Sequence, residues 1–296
     1  MAHSRLRFLS VALAAGYAAG ARAHHPASGV VDPWAWNFEP WVVALLAIGL
    51  LLYVAGVRRL WARAGYGRGV SRRAAGFFAA GWTVLVVALL SPVDTLGGAL
   101  FSMHMVQHEL LMVVAAPLLV LSRPLEAWAW GLPRSWLFPL AGIGRWSPLA
   151  LLWRAVTDPA GAWVFHAAAL WVWHVPMFFE AGLRNEAWHA LQHASFLASA
   201  LAFWWTVLAP RGAPDGFGMA SAFTTMLHTG ALGALLTFAP YPWYRHYGDA
   251  SALGLSPLED QQLGGLVMWV VGSTPYLAAG LFIAAGWLVV TADRNP

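Results

Sequence analysis

The chain of 296 residues contains no cysteine and no lysine. Without cysteine it can form no disulfide, no thiolate metal site and no Cys-x-x-Cys copper carrier, so any metal falls to His, Met, carboxylate or backbone ligands. All 17 basic residues are arginines, spread between apolar stretches. That is the pattern of membrane topology signals, and it argues against a nucleic-acid partner. Charge is scarce as well: 10% of residues are Asp, Glu, Lys or Arg, against 59% hydrophobic. With a mean hydropathy of +0.60, the chain has too little polar surface for a soluble globule of this size and must face mostly lipid.

What is present is a series of apolar runs near 41–57, 74–91, 99–121, 160–180, 187–208, 218–240 and 262–290. They predict an all-α polytopic membrane protein, a bundle of seven transmembrane helices occupying residues 41–292. Ahead of it, Arg5 and Arg7, an apolar stretch from Phe8 to Ala19 and the small-x-small site Ala21-Arg22-Ala23 read as a cleaved signal peptide over residues 1–23, the stretch being short for a span. Residues 24–40 then form an extracytoplasmic tail. Six arginines between the first two runs, Arg58, Arg59, Arg63, Arg68, Arg72 and Arg73, assign that loop to the cytoplasm. The mature N-terminus then lies outside and the C-terminus inside, in a bacterial inner membrane. Segment 122–158 is broken by Pro139, Gly142, Gly144, Arg145 and Pro148 and reads as cytoplasmic and interfacial. Most of the 19 tryptophans read as interface anchors.

Histidine carries the chemistry. His104 with His108, and His189 with His193, stand at i,i+4 spacing inside apolar segments, which puts each pair on one helix face. Alternating span direction brings both pairs, His174 at the end of its span, and Asp260 at the start of the last span to one side of the membrane. Polar groups in lipid are costly and mark function. Five convergent imidazoles suit Zn, Cu or Fe, so a transition-metal site is expected. Met105, at i−3 from His108, offers a soft donor that favours Cu(I), though methionine also fills gaps in helical cores. Asp260 reads equally as a ligand, as a group that orients an imidazole, or as an acidic residue favoured at a helix N-terminus. His166 and His228 have no i,i+4 partner and read as hydrogen-bonded contacts between helices.

Three stretches, MHMVQHELLMVVAAPLLVL at 103–121, WHVPMFFEAGLRNEAWHALQHASFLASALAFWW at 173–205 and LEDQQLGGLVMWV at 258–270, resemble the CtaG-type cytochrome c oxidase assembly factors. The resemblance implies a seven-helix bacterial inner-membrane protein that serves haem-copper oxidase maturation, with copper as its metal. It assigns His104 and His108 to the family's first His-x-x-x-His, His174 to its Trp-His-x-Pro, His189 and His193 to its second pair, and Asp260 to its Asp-Gln-Gln. Partners implied are the oxidase subunits, membrane lipid and a periplasmic copper donor, in a role that is not enzymatic. Two other readings stay open on the residues: an intramembrane zinc hydrolase enlisting Ser195 and Asp260, and a b-type haem protein with facing histidines.

Overall fold

The computed structural model describes residues 32–133, 135, 136, 142, 147–208, 216–247 and 254–292. The expected signal peptide and residues 24–31 of the tail lie outside these. The described residues are helical, with no strand among them. In chain order the helices are α1 Pro40–Ala64, α2 Arg72–Leu90, α3 Pro92–Gly97, α4 Phe101–Leu121, α5 Pro124–Gly131, α6 Ser147–Thr157, α7 Pro159–His174, α8 Pro176–Arg184, α9 Glu186–Leu208, α10 Gly216–Thr237 and α11, residues 257–292.

Their boundaries follow local chemistry. Proline stands in the first turn of α1, α3, α5, α7, α8 and α11, where its missing N–H costs nothing. The Ser71 hydroxyl accepts from the Ala74 N–H to start α2, and the Asp158 carboxylate accepts from Ala160 and Gly161 to start α7. Ser256 and Glu259 form a reciprocal capping box on α11. Gly65, at φ 97°, ends α1 in a conformation closed to most side chains.

Among the described residues, five helices are long and apolar enough to cross a bilayer: α1, α2, α4, α10 and α11. A sixth span results if α7 and α8, bent by 77° at Pro176, are taken together. The sequence count of seven differs from this by α9, which is 23 residues long but carries two histidines, Gln192 and Glu186, which dilute its hydropathy. Within segment 122–158, α5 has 8 residues and α6 has 11, neither enough to span alone. α5 lies tightly on α1, because a Cβ at Gly56 would overlap the Ala127 carbonyl and one at Gly131 would overlap the Leu52 carbonyl. Arg59 then donates to the carbonyls at the end of α5, with Gly131 O at 2.8 Å.

α4 is the central helix. One side joins α1, α2 and α5 through Leu111, Ala115 and Leu119; another joins α7, α9 and Tyr276 of α11 through Met112, Val113 and Ala116. Both α4 and α11 contain a π-helical turn, Leu110–Ala115 and Val267–Gly272. Such turns recur beside functional sites. At one end of the bundle, Phe101, Met105, Phe179, Tyr244 and Tyr247 form a third apolar cluster, directly beside the histidines.

Candidate metal centre

α4 cannot cap itself, since Leu100 precedes it and offers no side-chain acceptor. The missing partner comes from α11: Asp260, fully buried, accepts from the Phe101 N–H at 2.6 Å, the Ser102 N–H at 3.0 Å and the Ser102 hydroxyl at 2.5 Å. A carboxylate on exposed helix N–H groups also meets the positive end of the helix dipole. This fastening sets the height and rotation of the turn that carries His104 and His108.

Around His104 the chain closes in. Its Nδ1 lies 3.3 Å from the Gly97 carbonyl, which also accepts from the Tyr247 hydroxyl at 3.1 Å. Gly97 has no side chain, and a Cβ there would crowd Gln107 Oε1 at 3.2 Å and His104 Cα at 3.4 Å. Gln107 in turn donates from Nε2 to the Ala88 carbonyl and Asp94 Oδ1, each at 2.7 Å. On α7, His174 Nδ1 sits 2.7 Å from the Leu170 carbonyl one turn back. The Val175-Pro176 step ends the helix there, and the Tyr244 hydroxyl takes up the His174 carbonyl at 2.9 Å. Burial pushes the Tyr244 and Tyr247 hydroxyls above the usual phenol range, and for Tyr247 the nearby Asp260 carboxylate adds to this. Both therefore remain donors. α9 starts with the Asn185 side chain accepting from Trp188 N–H at 3.1 Å, which places His189 and His193 in its first two turns.

The two pairs and His174 meet. Ring centroids are 4.3 Å apart for His104 and His108, 4.1 Å for His189 and His193, 5.3 Å for His104 and His189, 5.7 Å for His104 and His193, and 5.3 Å for His108 and His193. His174 approaches from the other side, 6.3 Å from His108. One ligand nitrogen each from His104, His189 and His193 lie within 4.8 Å of one another, the separation from which an ion can be held. Phe179 covers His104 and His174, and Phe196 packs on His108.

The donor set is in the state a metal requires. A neutral imidazole that gives its Nδ1–H to a backbone carbonyl presents the Nε2 lone pair, and His104 and His174 are anchored in this way. Their Nε2 atoms, His193 Nε2 and both nitrogens of His108 are buried without a hydrogen-bond partner. A polar atom left so costs about 1–3 kcal/mol, so a cluster of them asks for a ligand that satisfies several at once.

Two residues proposed from sequence take other positions. The Asp260 carboxylate is spent on the α4 N-terminus, as above. Met105, next to His104, points away from the histidines into the cluster with Phe101, where Gly264 of α11 makes room for it. His166 is, as expected, a contact between helices: its ring nitrogens lie 3.1 Å from the Ser199 hydroxyl and 2.8 Å from the Tyr276 hydroxyl. His228 receives the Trp171 indole N–H at 3.4 Å. Gly97, Phe179, Tyr244 and Tyr247 were not singled out from sequence, although the 241–257 loop that holds the two tyrosines is visibly rich in aromatics; Gln107 reads from sequence only as a neighbour of His108 on another helix face.

Residues 51–289 match the family model described as cytochrome c oxidase caa3 assembly factor (Caa3_CtaG). An uncharacterized protein of Mycobacterium leprae is 25% identical over 282 residues, covering 88% of this chain and 41% of its own length. Uncharacterized proteins of Mycobacterium bovis and Mycobacterium tuberculosis are each 27% identical over 264 residues, covering 85% of this chain and 39% of their own length. The chain thus spans about two fifths of these relatives. No solved structure matches it. With the family model covering most of the bundle, all five histidines included, the chain belongs to the cytochrome c oxidase caa3 assembly factor family.

Proposed function

We propose that this protein carries copper to a haem-copper oxidase during its assembly. Copper is cargo, held by His104, His108, His174, His189 and His193 at the periplasmic end of a seven-span bundle in the bacterial inner membrane, and passed by ligand exchange to an oxidase subunit docked alongside. A periplasmic copper donor loads the site. The protein transforms no substrate and is not an enzyme. The observation that carries this reading is the convergence of five imidazoles from α4, α7 and α9, with ring nitrogens of His104, His108, His174 and His193 buried and without a partner among the described residues. Imidazoles already in the neutral, carbonyl-anchored form take up and release a metal ion without moving a proton, which suits a carrier.

A zinc hydrolase is less well supported. Ser195 receives the Trp173 indole N–H at 2.7 Å and donates to the Gln192 carbonyl at 2.8 Å, and Asp260 is fully engaged at α4. A haem is less well supported too. The five rings pack at 4.1–6.3 Å against one another and against Phe179 and Phe196, a spacing for a small ion.

The test is to purify the protein in detergent from copper-replete cells, measure metal content and visible spectrum, and repeat with His104→Ala and His193→Ala. Copper that falls at least tenfold in the double variant, together with an oxidase depleted of copper in those cells, is the expected outcome. Fully copper-loaded oxidase in cells carrying the double variant, or a Soret band on the purified protein, overturns the reading.

A further inference from the structure

Resting on the copper reading above, we infer that the five histidines form two copper positions, an outer one of His104, His189 and His193 and a deeper one of His108 and His174, between which the ion steps. The ligand-atom separations set three of the histidines apart. Only His104, His189 and His193, among the described residues, bring ligand nitrogens together within 4.8 Å as a group of three. His108 is one helical turn along α4 from His104, 4.3 Å away by centroid, and stands 6.3 Å from His174, the widest of the histidine separations given above.

Coordination geometry gives these numbers a meaning. With a metal–nitrogen bond of about 2.0 Å, an imidazole centroid stands about 3.1 Å from the ion, so rings on opposite sides of one ion are about 6.2 Å apart and rings at trigonal angles about 5.4 Å apart. The 6.3 Å between His108 and His174 fits two-coordinate, linear binding, an arrangement open to Cu(I) and foreign to ions that need four ligands. In the outer set the 5.3 and 5.7 Å from His104 to His189 and His193 match that spacing, while His189 and His193, one turn apart on α9, stand closer at 4.1 Å.

The anchoring of the rings supplies a route between the positions. His104 is fixed at Nδ1 by the Gly97 carbonyl and His174 at Nδ1 by the Leu170 carbonyl, so each faces its own position with Nε2. Neither nitrogen of His108 has a partner. Its ring is thus held by packing alone, against Phe196, and it is within 4.3 Å of His104 and 5.3 Å of His193 by centroid as well as 6.3 Å of His174. In the step, one bond from copper to an outer imidazole breaks as the bond to His108 forms. Copper keeps its oxidation state, every imidazole stays neutral and no proton is transferred.

The experiment is an anaerobic Cu(I) titration of the full-length protein in detergent against a competing chromophoric chelator, with X-ray absorption to count ligands. About two equivalents are expected for the unaltered protein, about one, three-coordinate, for His108→Gln with His174→Gln, and about one, two-coordinate, for His104→Gln with His189→Gln. Glutamine keeps the side chain polar and of similar size, and circular dichroism with thermal unfolding confirms that each variant retains its helices. One equivalent in the unaltered protein that both pairs of substitutions abolish means a single shared site, and overturns the two-position inference while leaving copper carriage intact. No Cu(I) uptake by the unaltered protein overturns copper carriage itself.

Discussion

Asp260 shows how one side chain serves the site without touching the ion. Its carboxylate takes three hydrogen bonds from the first two residues of α4. Replacing it with asparagine keeps an acceptor but removes the charge from the positive end of the helix, at a cost of about 1–2 kcal/mol. Asp260→Asn is therefore expected to lower the thermal unfolding midpoint in detergent by several degrees while leaving copper stoichiometry unchanged. Copper lost at an unchanged midpoint would make Asp260 a ligand after all. The histidine pairs were legible in the sequence because an i,i+4 repeat is a local property of a helix. The engagement of Asp260 was not, because its partners stand 158 and 159 residues away and no spacing rule reaches across that distance. The surroundings of Met105 were hidden for a related reason. Its i−3 relation to His108 allows a shared face, but its packing beside Phe101 and Gly264 of α11 is again a long-range contact.

At the scale of helices, the π turn of α11 packs against the α-helical start of α4, Phe101–Glu109, just ahead of the π turn of α4. There Gly272 faces the Glu109 carboxylate, and a Cβ at Gly272 would come within 2.6 Å of Glu109 Oε1 and 2.7 Å of Oε2. The contact needs the absence of a side chain at Gly272. Overpacking of this kind costs about 1–3 kcal/mol. Gly272→Ala is expected to lower the unfolding midpoint, and adding Glu109→Ala is expected to recover part of that loss because the clashing carboxylate is then gone. If the two substitutions are merely additive in a double-mutant cycle, the contact does not exist as described. Hydropathy runs revealed where helices lie, and Pro176 marked the break after His174. The π turns were invisible, since they follow from how the neighbouring helix packs and not from a residue type. The bend of 77° between α7 and α8 was also unreadable, because a proline says that a helix stops without saying where the next one points.

For the molecule as a whole, the proposal requires the histidine end to face the periplasm and the arginine-rich α1–α2 loop to face the cytoplasm. The lack of cysteine makes this easy to check, because a thiol reagent finds no background in the native chain. Tyr66 in that loop and Tyr241 beside the site are both well exposed, at 71% and 64%. In intact spheroplasts, a membrane-impermeant maleimide is expected to label Tyr241→Cys at once and Tyr66→Cys only after lysis. The reverse pattern would put the histidines on the cytoplasmic side and end the case for periplasmic loading.

The clamp of Asp260 on α4 also sets a clock on biogenesis. A ribosome adding 5–20 residues per second makes His104 and His108 roughly 8–30 s before the acidic partner that holds their helix in place. Through that interval the nascent chain has its first histidine pair but not the carboxylate that fastens their helix. The helix that carries them is thus fastened only once nearly all of the helices have been made.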